Sequence, residues 1–168
     1  MIKTFKTLFF VKSSLISLYL ALTLPIPFIS SGKLKLISIL IFLLGLILIV
    51  NLTDDYVKTC ESKISFNSSF ISRLLGKKNW EIIWKDIKLI KSLPTSQGSK
   101  VHYFVTNKDE NFLVPQRIED FEKFISIIAN KTKADVSNLS YISPLWTYKL
   151  LTVLSVLMIF GEIIAFSI

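Results

Sequence analysis

Three long apolar stretches, residues 8–29, 34–52 and 145–168, bracket one polar segment, and that order leaves few architectures open to the chain. A helix needs roughly 20 predominantly apolar residues to cross a bilayer, and each stretch is about that long. The intervening residues, 53–143, have the composition of an ordinary soluble domain. The sequence therefore predicts an integral membrane protein with three transmembrane helices and one small domain. Its parts are a hairpin over residues 1–52, the domain over 53–143 and a third span over 144–168.

The net charge of +8 does not indicate a nucleic-acid partner. Residues 53–143 hold 14 Lys/Arg against 11 Asp/Glu, a net charge of +3, with the signs interleaved. Basic domains that bind nucleic acid concentrate their charge on one face. The rest of the excess comes from Lys3, Lys6, Lys12, Lys33, Lys35 and Lys149, all beside apolar stretches. Flanking lysines follow the positive-inside rule. Lys3, Lys6 and Lys12 place the N-terminus on the cytoplasmic side, or the stromal side in a photosynthetic organelle. The hairpin then returns the middle domain to that side, and the C-terminus ends on the opposite one. A cleaved signal peptide is a weaker reading, because Ser30, Ser31 and Gly32 form no A-x-A-like site. Cys60 is the only cysteine, which leaves no intramolecular disulfide and no thiolate cluster. The sequons at Asn51, Asn67, Asn130 and Asn138 are assigned no role, since a cytoplasmic domain does not meet the glycosylation enzyme.

Within the spans, Pro25 and Pro27 predict a kink or an end to the first helix. Gly45 and Gly161 allow close helix contact without a paired small residue at the usual spacing. Glu162 lies roughly 27 Å along the third helix from Pro144. That depth is close to Lys33 and Lys35, so an ion pair at the outer interface is expected. Lys12 can snorkel to the inner headgroups.

The middle segment changes period. Residues 56–66, 70–75, 80–84, 87–93, 101–106 and 112–114 read as short apolar or alternating runs with strand character, separated by turns such as Gly76-Lys77-Lys78-Asn79. Trp80, Ile82 and Trp84 share one face of such a strand. After Pro115 the apolar residues Ile118, Phe121, Phe124 or Ile125, and Ile128 recur at helical spacing. Strands closed by one helix make an α+β domain.

A Trp-x-x-Ile element (Trp84 to Ile87) precedes an aromatic strand with Tyr103 and Phe104. The segment Phe112-Leu113-Val114-Pro115-Gln116-Arg117 and a helix with Phe121 and Phe124 follow. Over residues 53–131 this order resembles the bacterial pleckstrin-homology-like (PH-like) domains anchored by a transmembrane hairpin. The resemblance implies several antiparallel strands closed by a C-terminal helix. Lys85-Asp86-Ile87, Asp109-Glu110-Asn111-Phe112 and Arg117-Ile118-Glu119 are also similar to the thylakoid photosystem I assembly factor family, from which the third span departs.

No catalytic, cofactor-binding or metal site is expected. The five glycines form no phosphate-binding loop. His102, the one histidine, reads as a surface or edge residue of a strand, and Cys60 as a small buried side chain. Asp54 and Asp55 read as hydrated junction residues, and Asp86 as a corner whose carboxylate accepts from nearby backbone N–H groups. Arg117 is suited to an anion by its bidentate geometry, or to an ion pair with Glu119 or Asp120. Arg117, Lys77, Lys78 and Trp80 are the candidate contacts for a partner or a headgroup, with Trp80, Trp84 and Phe104 read first as core. The functional expectation is a non-enzymatic membrane-anchored interaction module that binds a protein and aids assembly or stability of a membrane complex. The alternatives are a small transporter or enzyme subunit, or binding of anionic lipid headgroups.

Overall fold

The computed structural model describes residues 2–167. They divide into two compact units, and the division does not follow chain order: the residues up to Leu8 join Asp54–Pro144, while Phe9–Thr53 joins the segment from Leu145 onward.

The first unit is built on seven strands. β1 (Lys3–Lys6), β2 (Tyr56–Thr59), β3 (Lys63–Asn67) and β4 (Trp80–Ile83) form an antiparallel sheet in that order. β5 (Ile87–Pro94), β6 (Lys100–Thr106) and β7 (Asn111–Leu113) form a second antiparallel sheet. The two sheets are not closed into one: a short 3₁₀ turn at Trp84–Asp86 carries the chain from β4 into β5.

Strand alternation produces the core. Val57, Ile64, Phe66 and Ile82 of the first sheet and Phe104 of the second point inward, as the period of two requires. The α5 helix (Phe121–Lys131) covers them with Phe121, Phe124 and Ile128, spaced so that all three lie on its buried face. Trp84 is buried although it leaves the strand for the 3₁₀ turn, and its indole Nε1–H donates to the Cys60 carbonyl at 2.9 Å.

β1 is the element that sequence reading does not anticipate. Lys3 and Lys6 read as the basic flank of a span, yet Phe5 between them is 4% exposed and meets the Phe124 ring at 5.4 Å. β1 pairs with β2 along its length, and its C-terminal end also meets residues 117–119. Phe5 registers opposite Val57, while Thr7 bridges to Ile118 on the other flank. The Glu119 N–H donates to the Lys6 carbonyl at 2.9 Å and the Leu8 N–H to the Arg117 carbonyl at 2.8 Å. The domain expected at 53–143 is thus discontinuous, with an essential strand supplied from before the first apolar stretch.

A second correction concerns residues 70–75. Their apolar run forms α4 (Phe70–Leu74), not a strand. Ser69 caps it, its Oγ accepting from the Ser72 N–H at 3.2 Å, which is the usual N-cap interaction.

The second unit holds three helical segments long and apolar enough to cross a membrane: Phe9–Ile29, Gly32–Leu52 and Leu145–Ser167. The first is broken as the prolines require. α1 (Phe9–Thr23) stops before Pro25, and α2 (Pro25–Ile29) restarts with Pro25 in its first turn, where the missing N–H costs least. α3 (Gly32–Leu52) follows a two-residue turn, with Gly32 at φ +56°. α6 (Leu145–Ser167) ends the described chain; Ile168, the expected end of the third span, lies outside the described residues.

α1 packs along α6, and it buries Ser14, Ser17 and Ala21, a narrow stripe of small side chains. Tyr19 joins α1 to α3: its hydroxyl donates to the Phe42 carbonyl at 2.8 Å, and its ring stacks on Phe42. Gly45 makes this possible, because a Cβ there would overlap the Tyr19 side chain.

If β1 completes the core, Phe5→Ala should destabilise the first unit by about 3–5 kcal/mol, the range for truncating a buried phenylalanine. Ile2→Ala, at a position 71% exposed, should be near neutral. Thermal unfolding of the full-length protein followed by tryptophan fluorescence checks this, and equal small effects would mean that β1 carries no core load.

Candidate functional site

The sequence candidates Lys77 and Lys78 lie in the connection from β3 to β4, next to α4. Asp55 organises this connection. Its carboxylate accepts from the Ser69 N–H at 2.9 Å and forms an ion pair with Lys77. Asp55 is therefore not the freely hydrated residue expected from its place at a junction: its side chain is 12% exposed. Lys77 also lies over the Phe66 ring, 5.0 Å from its centroid. Asn79 closes the far end, its Oδ1 accepting from both the N–H and the hydroxyl of Ser68. Lys78 is exposed.

Trp80 belongs to the core, as the composition of its face suggests. Its ring stacks on Phe66 at 5.8 Å and meets Phe104 at 6.0 Å and Phe112 at 5.7 Å, so one side chain links both sheets. It is half-buried and offers little platform for a ligand.

Arg117 is exposed, and its guanidinium makes none of the ion pairs with Glu119 or Asp120 that sequence proximity suggests. Pairing of this segment with the N-terminal residues extends it, with Ile118 turned into the core and Arg117 and Glu119 both exposed. Asp120 adopts a left-handed backbone, φ +49°, where the chain turns into α5.

One cleft opens beside the 3₁₀ turn, with a volume of about 310 Å³. Glu81, Ile82 and Ile83 of β4 line one wall; Phe112 of β7 and the turn before it line the other. β4 and β7 are both edge strands. Asp86 and Glu110 add negative charge, against Lys108. Asp86 acts at this corner through its backbone, since its carbonyl accepts from the Asn107 N–H at 2.9 Å, and its carboxylate is not held by the backbone donors expected of it. Periodicity does not reveal this cleft, because its walls come from opposite ends of the sheets.

His102 is fully buried, not at an edge: β6 is the central strand of its sheet. Its Nδ1 shares a hydrogen bond with Ser92 Oγ at 2.7 Å, and Nε2 has no hydrogen-bond partner. Gln116, which sequence reading passes over, is 5% exposed and donates from Nε2 to the carbonyls of Lys100 and Ser140. It ties β6 to the segment leading out of the domain. Among the described residues no three His, Cys, Asp or Glu side chains converge as a metal site, and Cys60 is only partly buried.

In the second unit, Glu162 does not pair with Lys33 or Lys35. Its Oε2 is buried without a hydrogen-bond partner, and both lysines are exposed.

No protein-family model matches the chain. Over 155 residues it is 28% identical to an uncharacterized protein of Synechocystis sp. (strain ATCC 27184 / PCC 6803 / Kazusa). That likeness takes in 88% of this chain and 77% of the other, so it necessarily includes parts of both units.

The His102 environment predicts a pH dependence. Burial, helped by repulsion from Lys100, holds its imidazole below the ordinary histidine value of 6.5. The unfolded chain therefore takes up more protons than the folded one as the pH falls below that value. Stability is complete above it and is lost toward the lower, folded value. The unfolding midpoint should drop between neutral and mildly acidic pH, and His102→Gln should flatten that slope. Parallel pH profiles for the two proteins would contradict the assignment.

Proposed function

We propose that this chain is a membrane-anchored, non-enzymatic interaction module whose first unit is a PH-like domain. Seven antiparallel strands in sheets of four and three, followed by one helix packed on the core, support the PH-like reading. The three apolar helices act as its anchor. Two spans separate β1 from β2, so strand pairing requires an even number of crossings and returns the chain to the side it started from. The charge bias makes that side cytoplasmic, or stromal in an organelle.

The observation that carries the binding role is the cleft between β4 and β7. Two free strand edges flank it, half-exposed Ile83 and the Phe112 ring supply apolar contact, and Asp86 and Glu110 supply negative charge. An extended, basic-apolar segment of a partner protein fits such a site by adding a strand to the β4 edge. Anchoring raises the effective concentration of any partner in the same membrane. This favours a partner that is itself a membrane protein, and a role in the assembly or stability of its complex.

The test is recovery of partners from native membranes after brief crosslinking and mild solubilisation, using the tagged full-length protein. The wild type should retrieve one multisubunit membrane complex reproducibly, and Asp86→Lys with Glu110→Lys should lower that recovery several-fold. Recovery of the bait with lipid alone would contradict the interaction role. Equal recovery by both proteins would move the interface away from the cleft.

A further inference from the structure

α4 combines two properties that are hard to reconcile with a water-facing loop. Its backbone is held by hydrogen bonds at both ends, yet its largest side chains are mostly exposed. Phe70 is 65% exposed, and Leu74 and Leu75 are each 71% exposed. A five-residue helix has no stability of its own. This one is fixed by the Ser69 cap, by the Lys77 N–H donating to the Ser72 carbonyl at 2.9 Å, and by Asn79 on Ser68. The connection is thus a preset shape with apolar tips. Exposed apolar groups of this size, clustered together, mark an interaction surface.

The position of the connection identifies the occupant. Asp55 holds it at both ends, through the Ser69 N–H and through Lys77. Asp55 also follows Leu52, the last residue of α3, by three positions. Covalent reach confines it to about 10 Å from that helix end. The same connection carries two exposed cations: Arg73, which lies against the Phe70 ring at 5.9 Å, and Lys78. Apolar side chains fringed by Arg and Lys at this distance from a span end suit the boundary between anionic headgroups and acyl chains.

We propose that residues 68–79 form an interfacial wedge, with Phe70, Leu74 and Leu75 seated in the bilayer that holds the spans and Arg73 and Lys78 on its lipid phosphates. The ion pair of Lys77 with Asp55 holds the connection in shape.

The proposal rests on α3 crossing a bilayer, and the test separates the two claims. The full-length protein carrying Cys60→Ser is reconstituted in vesicles of equal parts phosphatidylcholine and phosphatidylglycerol. A fluorophore is placed in turn at Leu74→Cys, at Leu43→Cys within α3, and at Lys108→Cys in the turn before β7. Lipids spin-labelled near the headgroup should quench the probe at 74 several-fold more than the probe at 108. Lipids labelled deep in the acyl chain should quench the probe at 43. Adding Arg73→Glu with Lys78→Glu should lower the quenching at 74 several-fold and leave 43 unchanged; no change at 74 would remove the cations from the proposal. A probe at 74 open to aqueous iodide, while 43 is quenched by lipid, overturns the wedge and leaves the span intact. A probe at 74 shielded from both iodide and lipid also overturns it, pointing to a protein occupant. Absence of lipid quenching at 43 would instead sink the membrane reading on which the proposal stands.

Discussion

The pairing of β1 between β2 and residues 117–119 is the constraint on which the rest of the structure depends. Phe5 fills a place in the core that no residue of the later segment occupies, with Val57 opposite it and Phe124 against its ring. The hairpin of α1, α2 and α3 is therefore an insertion within a folded domain and not a leader in front of one. The chain passes between the two units three times, after Leu8, before Asp54 and after Pro144.

The interaction surfaces follow from the same arrangement. β4 ends the first sheet on the side away from β1, and β7 is an edge of the second. The two edges flank the cleft lined by Glu81, Asp86 and Glu110. The connection from β3 to β4 is held by Asp55 close to the end of α3, and the segment containing Arg117 is held by Leu8, next to the start of α1. The cations picked out in the sequence thus sit in two separate segments of the first unit, which is why they do not read as one basic patch in linear order.

Much of this was legible in the sequence, because burial imposes a period. The apolar runs located the three long helices to within two residues at their starts, and the alternation of Trp80, Ile82 and Trp84 located β4. The helical spacing of Phe121, Phe124 and Ile128 located α5. Pro25 and Pro27 marked the break between α1 and α2. The misses share a physical cause: a few residues satisfied by distant partners carry no local signature. Lys3–Lys6 is too short to show alternation, and its lysines have a ready explanation beside a span. The run at 70–75 is apolar in either conformation, and the Ser69 cap decides for helix. His102 is buried by the two strands beside it, which no neighbouring residue announces. Glu162 and the lysines at 33 and 35 share a nominal depth, but depth along a helix axis does not set which face a side chain occupies.

Amide hydrogen exchange on the full-length protein in lipid nanodiscs tests the central claim most directly. If β1 is an integral strand of the domain, the amides of residues 3–7 that bond to β2 and Asp55, and that of Leu8 on the Arg117 carbonyl, exchange as slowly as those of β2 itself, since both open only with the domain. Rapid exchange of residues 3–7 while β2 stays protected would show that the N-terminal segment is not part of the domain, and the discontinuous architecture would fall with it.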